Sequence, residues 1–247
     1  MQIPLPLIGF LLLLRGQLFL VIRETIKQIG IGRPAPALAV AFQRPVSPGR
    51  PRLLFVGDST VVGTGADRPD QTVVGYFGQA YPDARIVNGG QNGTRTATVV
   101  KQLRRVTDQH FDVIIILVGG NDVVQFTSDQ ELPAAIDSVL TLARRIGTHV
   151  LLMSQGNIGN APLFPPFFSR LFTRRSRRLR EIFRAATDRH GVMYIDPFVE
   201  RGEDRWLKNP AHYYSADRFH PNGIGYREWF GLQRETMIKA GWLPRLV

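Results

Sequence analysis

The sequence contains no cysteine among its 247 residues. This absence excludes disulfide bonds, thiolate nucleophiles and cysteine-ligated zinc. The H-E-x-x-H spacing of a helical zinc site and the Gly-Lys-Ser/Thr of a phosphate-binding loop are also missing. The first glycine-rich turn, GDSTVVGTG at 57–65, does not have the G-x-G-x-x-G spacing of a dinucleotide-binding fold. We therefore expect a protein that uses neither a metal ion nor an organic cofactor.

The longest apolar run is IPLPLIGFLLLLRGQLFLVI at 3–22, which has about the length that spans a bilayer. It lacks the basic start and the nearby cleavage site of a secretory signal. We interpret residues 1–29 as a membrane-associating helix, either spanning or interfacial, with a core-packed N-terminal helix as the alternative. Three basic residues near it, Arg23, Lys27 and Arg33, favour the cytoplasmic side for the rest of the chain.

Residues 30–51 are rich in Pro, Gly and Ala without a clear period, which is typical of a linker. From residue 52 onward, short apolar runs alternate with helical patterns. Such nearly unbroken apolar strands are typical of a parallel sheet that is covered on both faces. We therefore predict one domain over 52–247, an α/β fold in which a central parallel sheet of about five strands lies between two helical layers. The predicted strands are 52–57, 84–88, 112–118, 149–154 and 192–196, and the predicted helices lie near 72–81, 95–106, 132–146, 169–189 and 222–239.

Small and polar residues follow several of these strands. In an open α/β sheet, ligands bind beyond the carboxyl ends of the strands. GDST at 57–60, NGGQNG at 88–93 and GGND at 119–122 follow the first three strands, and ADRFHPN at 216–222 lies in a longer loop after the fifth. We therefore expect these four loops to meet at one edge of the sheet.

The side chains in these loops have complementary chemistry. The Ser59 hydroxyl is a poor nucleophile unless a base removes its proton, and the His220 imidazole can be that base. Asp217 lies three residues before His220 and can orient its ring. The backbone N–H groups of Ser59 and Gly93 and the side-chain amide of Asn121 are candidate donors to an oxyanion.

The segments GDST, NGGQNG, GGND and DRFHP resemble, in order and approximate spacing, the four sequence blocks of the SGNH (GDSL-type) hydrolases, over roughly residues 52–240. The resemblance implies a flavodoxin-like α/β/α sandwich and the hydrolysis of carboxylic esters or thioesters, including lysophospholipids and acetylated sugars. It implies that Ser59 is the nucleophile, that Gly93 and Asn121 complete the oxyanion hole, and that Asp217 and His220 complete the triad. Thr60 departs from the family, which often has leucine there.

Other residues in and near these loops have simpler interpretations. His212 is the one rival for the role of base, but it has no acid three residues before it. Asp58 and Asp122 are interpreted as acids that brace their loops. The remaining histidines, at 110, 149 and 190, lie away from the four loops.

The formal net charge is +11, and seven arginines but one glutamate lie between Arg170 and Arg184. A basic helix with an aromatic end is typical of a membrane-surface element. The alternative is a solvated helix that packs one apolar face on the sheet, and both can hold at once. Nucleic-acid binding has only the charge in its favour, so it is not expected.

The segment APLFPPFF at 161–168 follows the fourth predicted strand, where Phe164, Phe167 and Phe168 would line an acyl pocket or form a lid. The favoured function is a membrane-associated serine esterase that acts on lipid-like acyl esters. A carbohydrate O-acetyl esterase is the alternative enzyme, and a catalytically silent, membrane-tethered binding module is the alternative outside enzymes. The sequence gives no indication of the oligomeric state.

Overall fold

The computed structural model describes residues 40–46 and 48–244. The predicted membrane-associating helix at 1–29 and the first part of the predicted linker lie outside these residues. Within the described residues, no helix is both long enough and apolar enough to cross a membrane. The described residues belong to one compact unit.

Strands and helices alternate along the domain as the sequence predicts. Each predicted strand and each predicted longer helix is present, and the largest shift is at the start of the basic helix, predicted at 169 and observed at Pro166. The strands are β1 Arg52–Gly57, β2 Arg85–Asn88, β3 Phe111–Leu117, β4 Gly147–Met153 and β5 Met193–Ile195. The helices are α1 Ser59–Val62, α2 Val73–Ala80, α3 Thr96–Arg104, α4 Gly120–Val124, α5 Glu131–Ile146, α6 Pro166–His190, α7 Arg205–Lys208, α8 Pro210–Tyr213 and α9 Gly223–Lys239.

The five strands form one parallel sheet in the order β2-β1-β3-β4-β5. One face packs against α2 and α9, and alternate residues such as Leu53 and Phe55 lie in the core that these helices share. On the other face, α3, α5 and α6 lie side by side and contact β1, β4 and β5. The predicted three-layer α/β/α sandwich is confirmed, and all five strands point their carboxyl ends toward one edge.

The last part of the predicted linker packs on this domain. The backbone of Arg44 exchanges two hydrogen bonds with Ile86 of β2, at 2.8 and 3.0 Å. The ring of Phe42 lies so close to Gly78 of α2 that a Cβ there would come within 2.3 Å of it. Packing therefore begins before the predicted boundary at residue 52, because Arg44 pairs with the edge strand β2 and Phe42 packs on α2.

Candidate active site

Ser59 is placed by a tight turn between β1 and α1. Gly57 has a φ of +144°, and a Cβ there would lie 1.8 Å from the carbonyl oxygen of Leu117, so the position requires glycine. Asp58 then caps α1, because its carboxylate accepts a hydrogen bond from the backbone N–H of Thr60 at 2.9 Å. Ser59 is consequently the first residue of α1, and its hydroxyl lines a cavity at the edge of the sheet.

A continuous chain of hydrogen bonds joins three of the predicted site residues. Ser59 Oγ lies 2.9 Å from His220 Nε2, and His220 Nδ1 lies 2.6 Å from Asp217 Oδ2. With the Nδ1 proton directed at the carboxylate, the neutral imidazole presents Nε2 as an acceptor for the serine hydroxyl. His220 is only 7% exposed, whereas the rival His212 is exposed and lies against Tyr213. The structure therefore brings His220, and not His212, to Ser59.

The Asp217 carboxylate is held by more than the imidazole. Its Oδ1 accepts hydrogen bonds from the hydroxyl of Ser215 at 2.7 Å and from the backbone N–H groups of Phe219 and His220 at 2.8 and 2.9 Å. Burial raises the pKa of Asp217, but the hydrogen bonds and charge of His220 and the backbone donors outweigh it, so the pKa lies well below the usual value. The carboxylate therefore stays ionised opposite the imidazole. Ser215 has no place in the sequence prediction.

Two of the three predicted oxyanion donors are unoccupied. In the described chain, the backbone N–H groups of Ser59 and Gly93 donate to no acceptor. Asn121 uses one side-chain N–H for the carbonyl oxygen of Thr94 at 3.1 Å, which leaves its second N–H available. Gly93 has a φ of +76°, a left-handed conformation that favours glycine.

Buried polar side chains tie the loops together. Gln102 of α3 bonds both backbone groups of Gly57, at 2.7 and 2.8 Å, and donates to the hydroxyl of Thr94 at 3.1 Å. Asp122 accepts hydrogen bonds from the backbone and hydroxyl of Thr96 at 2.9 and 2.7 Å, and its burial raises its pKa. The loops after β1, β2 and β3 are thus fixed to one another before any substrate arrives.

Ser59, Asn121 and His220 share a cavity of about 370 Å³. The charged residues in its lining come from the segment before α7 and from α7, α9 and the turn before α1, namely Glu203, Asp204, Arg205, Glu228 and Asp58. The carbon-rich part of the wall consists of Ile158, Ala161, Pro197, Val199, Trp206, Phe219, Trp229 and Leu232.

The three phenylalanines predicted to bind substrate are not among the residues that line this cavity. Phe164 is buried and packs on Phe172 and Phe219, with ring centroids 4.6 and 5.8 Å apart. Phe168 packs on Phe172, and Phe167 is 62% exposed. Phe219, which the sequence prediction did not include, lines the cavity directly. A role for the other three in substrate binding stays a prediction.

Some arginines of the basic helix α6 form ion pairs with acidic side chains, and others do not. Arg177, Arg178 and Arg180 pair with Glu200, Asp129 and Asp196, and Arg178 also pairs with Glu181. Near its start, Arg170 and Arg174 are exposed and have no acidic partner among the described residues. Arg184, farther along the helix, is also exposed and has no acidic partner among the described residues. Two of these three arginines therefore lie near the exposed ring of Phe167. In the described part of the chain, no group of three or more acidic or histidine side chains is arranged to hold a metal ion.

The family model of the GDSL-like lipases and acylhydrolases matches residues 55–228. Among solved structures, the chain is similar to TesA, with 22% identity, a TM-score of 0.62 and coverage of 78% of this chain and 99% of that one. It is similar to a catalytic mutant of Axe2, an acetylxylan esterase from Geobacillus stearothermophilus, with 20% identity, a TM-score of 0.58 and coverage of 80% and 98%. A lipolytic G-D-S-L family protein from Veillonella parvula has 17% identity, a TM-score of 0.63 and coverage of 76% and 98%. No curated protein matches the chain.

Proposed function

The chain belongs to the GDSL-like lipase/acylhydrolase family and is an esterase of that family, and on this premise we propose that Ser59, His220 and Asp217 are its catalytic residues. The observation that carries the proposal is the hydrogen-bond chain from Ser59 Oγ through His220 to Asp217, next to unoccupied N–H donors. A hydroxyl, a base and an orienting carboxylate in hydrogen-bonding contact are the arrangement that nucleophilic acyl transfer requires.

The proposed reaction has two halves. His220 Nε2 removes the hydroxyl proton as Ser59 Oγ attacks the acyl carbon, and the ionised Asp217 stabilises the imidazolium. The N–H groups of Ser59, Gly93 and Asn121 donate hydrogen bonds to the oxyanion. Each donor lowers the free energy of the transition state by about 3 kcal/mol. The imidazolium protonates the departing alcohol, which leaves an acyl ester on Ser59. Water then loses a proton to His220 and attacks the same carbon. As the bond from that carbon to Ser59 Oγ breaks, the imidazolium returns the proton to Ser59 Oγ, the acid is released, and the free enzyme is restored.

For the substrate, we propose a carboxylic ester with a lipid-like acyl chain. The apolar part of the cavity wall supports this proposal, because it offers carbon surface for an acyl chain within reach of Ser59. Phe167 beside the unpaired Arg170 and Arg174 supports contact with an anionic lipid surface.

A carbohydrate O-acetyl ester is the second candidate substrate. It is favoured by Trp206 and Trp229 in the cavity wall, since indole rings offer flat faces for stacking, and by Glu228, whose carboxylate accepts from Trp206 Nε1 at 2.7 Å. The similar structure of Axe2 is that of an acetylxylan esterase. A silent binding module is the least supported candidate, because such a module would not need the Ser59–His220–Asp217 contacts.

Hydrolysis of p-nitrophenyl esters from acetyl to palmitoyl separates these substrates. If the natural substrate carries a lipid-like acyl chain, kcat/KM should rise by at least about tenfold from the acetyl to the octanoyl ester. The reason is that each CH₂ buried in the cavity contributes up to about 0.8 kcal/mol to transition-state binding. A sharp preference for acetyl would contradict the lipid proposal and favour the sugar ester. A wild-type chain that hydrolyses none of these esters, nor lysophospholipids, would favour the binding module.

We also propose that residues 1–29 associate the protein with a membrane, on its cytoplasmic face. The apolar run at 3–22 and the basic residues that follow it support this proposal. After carbonate extraction of membranes that contain the full chain, we expect the protein in the pellet. Its release into the supernatant would exclude a spanning helix.

A further inference from the structure

Gln155 connects the loop that carries Ser59 to the loop that carries Asn121. It lies just beyond β4, outside the four sequence blocks, and bonds both loops with the two ends of its side-chain amide. Its Nε2 donates to Asp58 Oδ2 at 3.0 Å, and its Oε1 accepts a hydrogen bond from the backbone N–H of Gly120 at 2.7 Å. The residue before Ser59 and the residue before Asn121 are therefore held by one side chain.

Thr60 belongs to the same network, at the position where the family often has leucine. Its backbone N–H and its hydroxyl donate to Asp58 Oδ1 at 2.9 and 2.7 Å. Gln155 Nε2 also lies 3.5 Å from the Thr60 hydroxyl oxygen. A leucine would keep only the backbone donor. Burial raises the pKa of Asp58 to about 6, and the hydrogen bonds from Thr60 oppose that rise.

We propose that Gln155 is a positioning residue that, with Asp58 and Thr60, fixes the Gly120–Asn121 peptide relative to Ser59. The inference rests on the proposed function, because the oxyanion donors come from both connected loops. Such donors stabilise the transition state only when their geometry is set beforehand, and a displacement of about 1 Å can cost about 10²-fold in rate. All three network residues line the cavity that contains Ser59.

Replacing Gln155 by leucine removes both bonds and keeps most of the volume. For the full chain acting on p-nitrophenyl acetate, we expect kcat to fall by about 10- to 100-fold with KM within about twofold, because oxyanion stabilisation acts in the transition state. Gln233→Leu is the matched control. Gln233 is buried, whereas Gln155 is half-buried. The Nε2 of Gln233 contacts Met153 Sδ at 3.2 Å, and its Oε1 has no partner among the described residues. Its replacement should leave kcat unchanged.

Gln155→Glu tests the positioning role through the pH dependence of kcat, which would not change if Gln155 only supported the fold. It places a second carboxylate against Asp58, and two carboxylates at this distance share one proton. The kcat of the variant relative to wild type should fall as the pH rises from 5 to 9 and that proton is lost. The other titratable groups that face Asp58 are His220, Asp122 and Tyr226; they are the same in both proteins, so their titration cancels in the ratio to a first approximation.

The double variant Asp58→Asn/Gln155→Glu restores the hydrogen bond between positions 58 and 155 with donor and acceptor exchanged. The side-chain amide introduced at position 58 would donate to the carboxylate introduced at position 155. The other oxygen of that carboxylate would still accept from the backbone N–H of Gly120, so we expect kcat to recover at least tenfold over Gln155→Glu at pH 8.

Three outcomes would each overturn the inference: an unchanged kcat in Gln155→Leu, a flat pH ratio for Gln155→Glu, or a double variant no better than Gln155→Glu. If the wild-type protein hydrolyses no ester, the proposed function is wrong, and the inference, which rests on it, is wrong too. An active wild type beside an unaffected Gln155→Leu contradicts the inference alone.

Discussion

Ser59→Ala should lower kcat for ester hydrolysis by about 10⁴- to 10⁶-fold, because the acyl-enzyme cannot form without the hydroxyl. The fold should tolerate the change. Ser59 Oγ makes its one side-chain hydrogen bond to His220, so the free energy of unfolding should fall by no more than about 1 kcal/mol. The measurement is the initial rate on the best p-nitrophenyl ester, combined with urea unfolding of both proteins.

The matched control is Ser138→Ala. That hydroxyl is exposed on α5 and donates to the carbonyl oxygen of Ala134 at 2.9 Å, away from the cavity. The Ser138→Ala variant loses the same atom as Ser59→Ala, and it should keep the wild-type rate. If a pure Ser59→Ala preparation retained more than about 1% of the activity, the nucleophile would be another group and the proposed mechanism would be wrong.

The sheet could be predicted from the sequence because its strands are buried on both faces. The run DVIIILV at 112–118 has no polar interruption after its first residue, and five residues of β3 from Val113 to Leu117 are buried. An apolar run of that length that ends at two glycines is typical of a buried strand in an α/β chain. The four-residue helices α7 and α8 could not be predicted, because a segment that short does not complete enough turns to show a period.

The meeting of the site loops could also be predicted, since parallel strands deliver their carboxyl ends to one edge. The side chains that hold those loops could not. Gln155 bonds Asp58, which lies 97 residues away, and Gln102 bonds Gly57, which lies 45 residues away. The residue type does not identify the partner of a glutamine, because its side-chain amide can bond water as well as protein groups.

The ion pairs of α6 also involve partners that could not be predicted from the sequence. The seven arginines within 170–184 predict a basic helix that is typical of a membrane-surface element. In the structure, the middle of the helix pairs with acids from other segments, such as Glu200 and Asp196. Exposed pairs of this kind contribute little to stability, but they neutralise the field that an anionic surface would feel. The positions that could still attract such a surface are therefore reduced to Arg170, Arg174 and Arg184.

His220→Ala should lower kcat by about 10⁴- to 10⁶-fold, comparable with the loss of Ser59, because nucleophile and base act as one unit. Asp217 would lose its imidazole partner and keep the hydroxyl of Ser215 and the backbone donors of Phe219 and residue 220, so the turn should still fold. The rate is measured across pH 5–9 with and without added imidazole. Partial rescue by imidazole is expected, since the substitution leaves space where the free base can bind.

His212→Ala is the matched control for that result, because it removes the same ring from a nearby position, in α8. His212 lies against Tyr213 and makes no hydrogen bond to Ser59, so its loss should change kcat by less than about twofold. If His212→Ala abolished hydrolysis and His220→Ala did not, the base would be the histidine without an orienting acid. The Asp217 contact could then no longer be assigned to catalysis, since its short bond to Nδ1 would orient a ring that takes no proton.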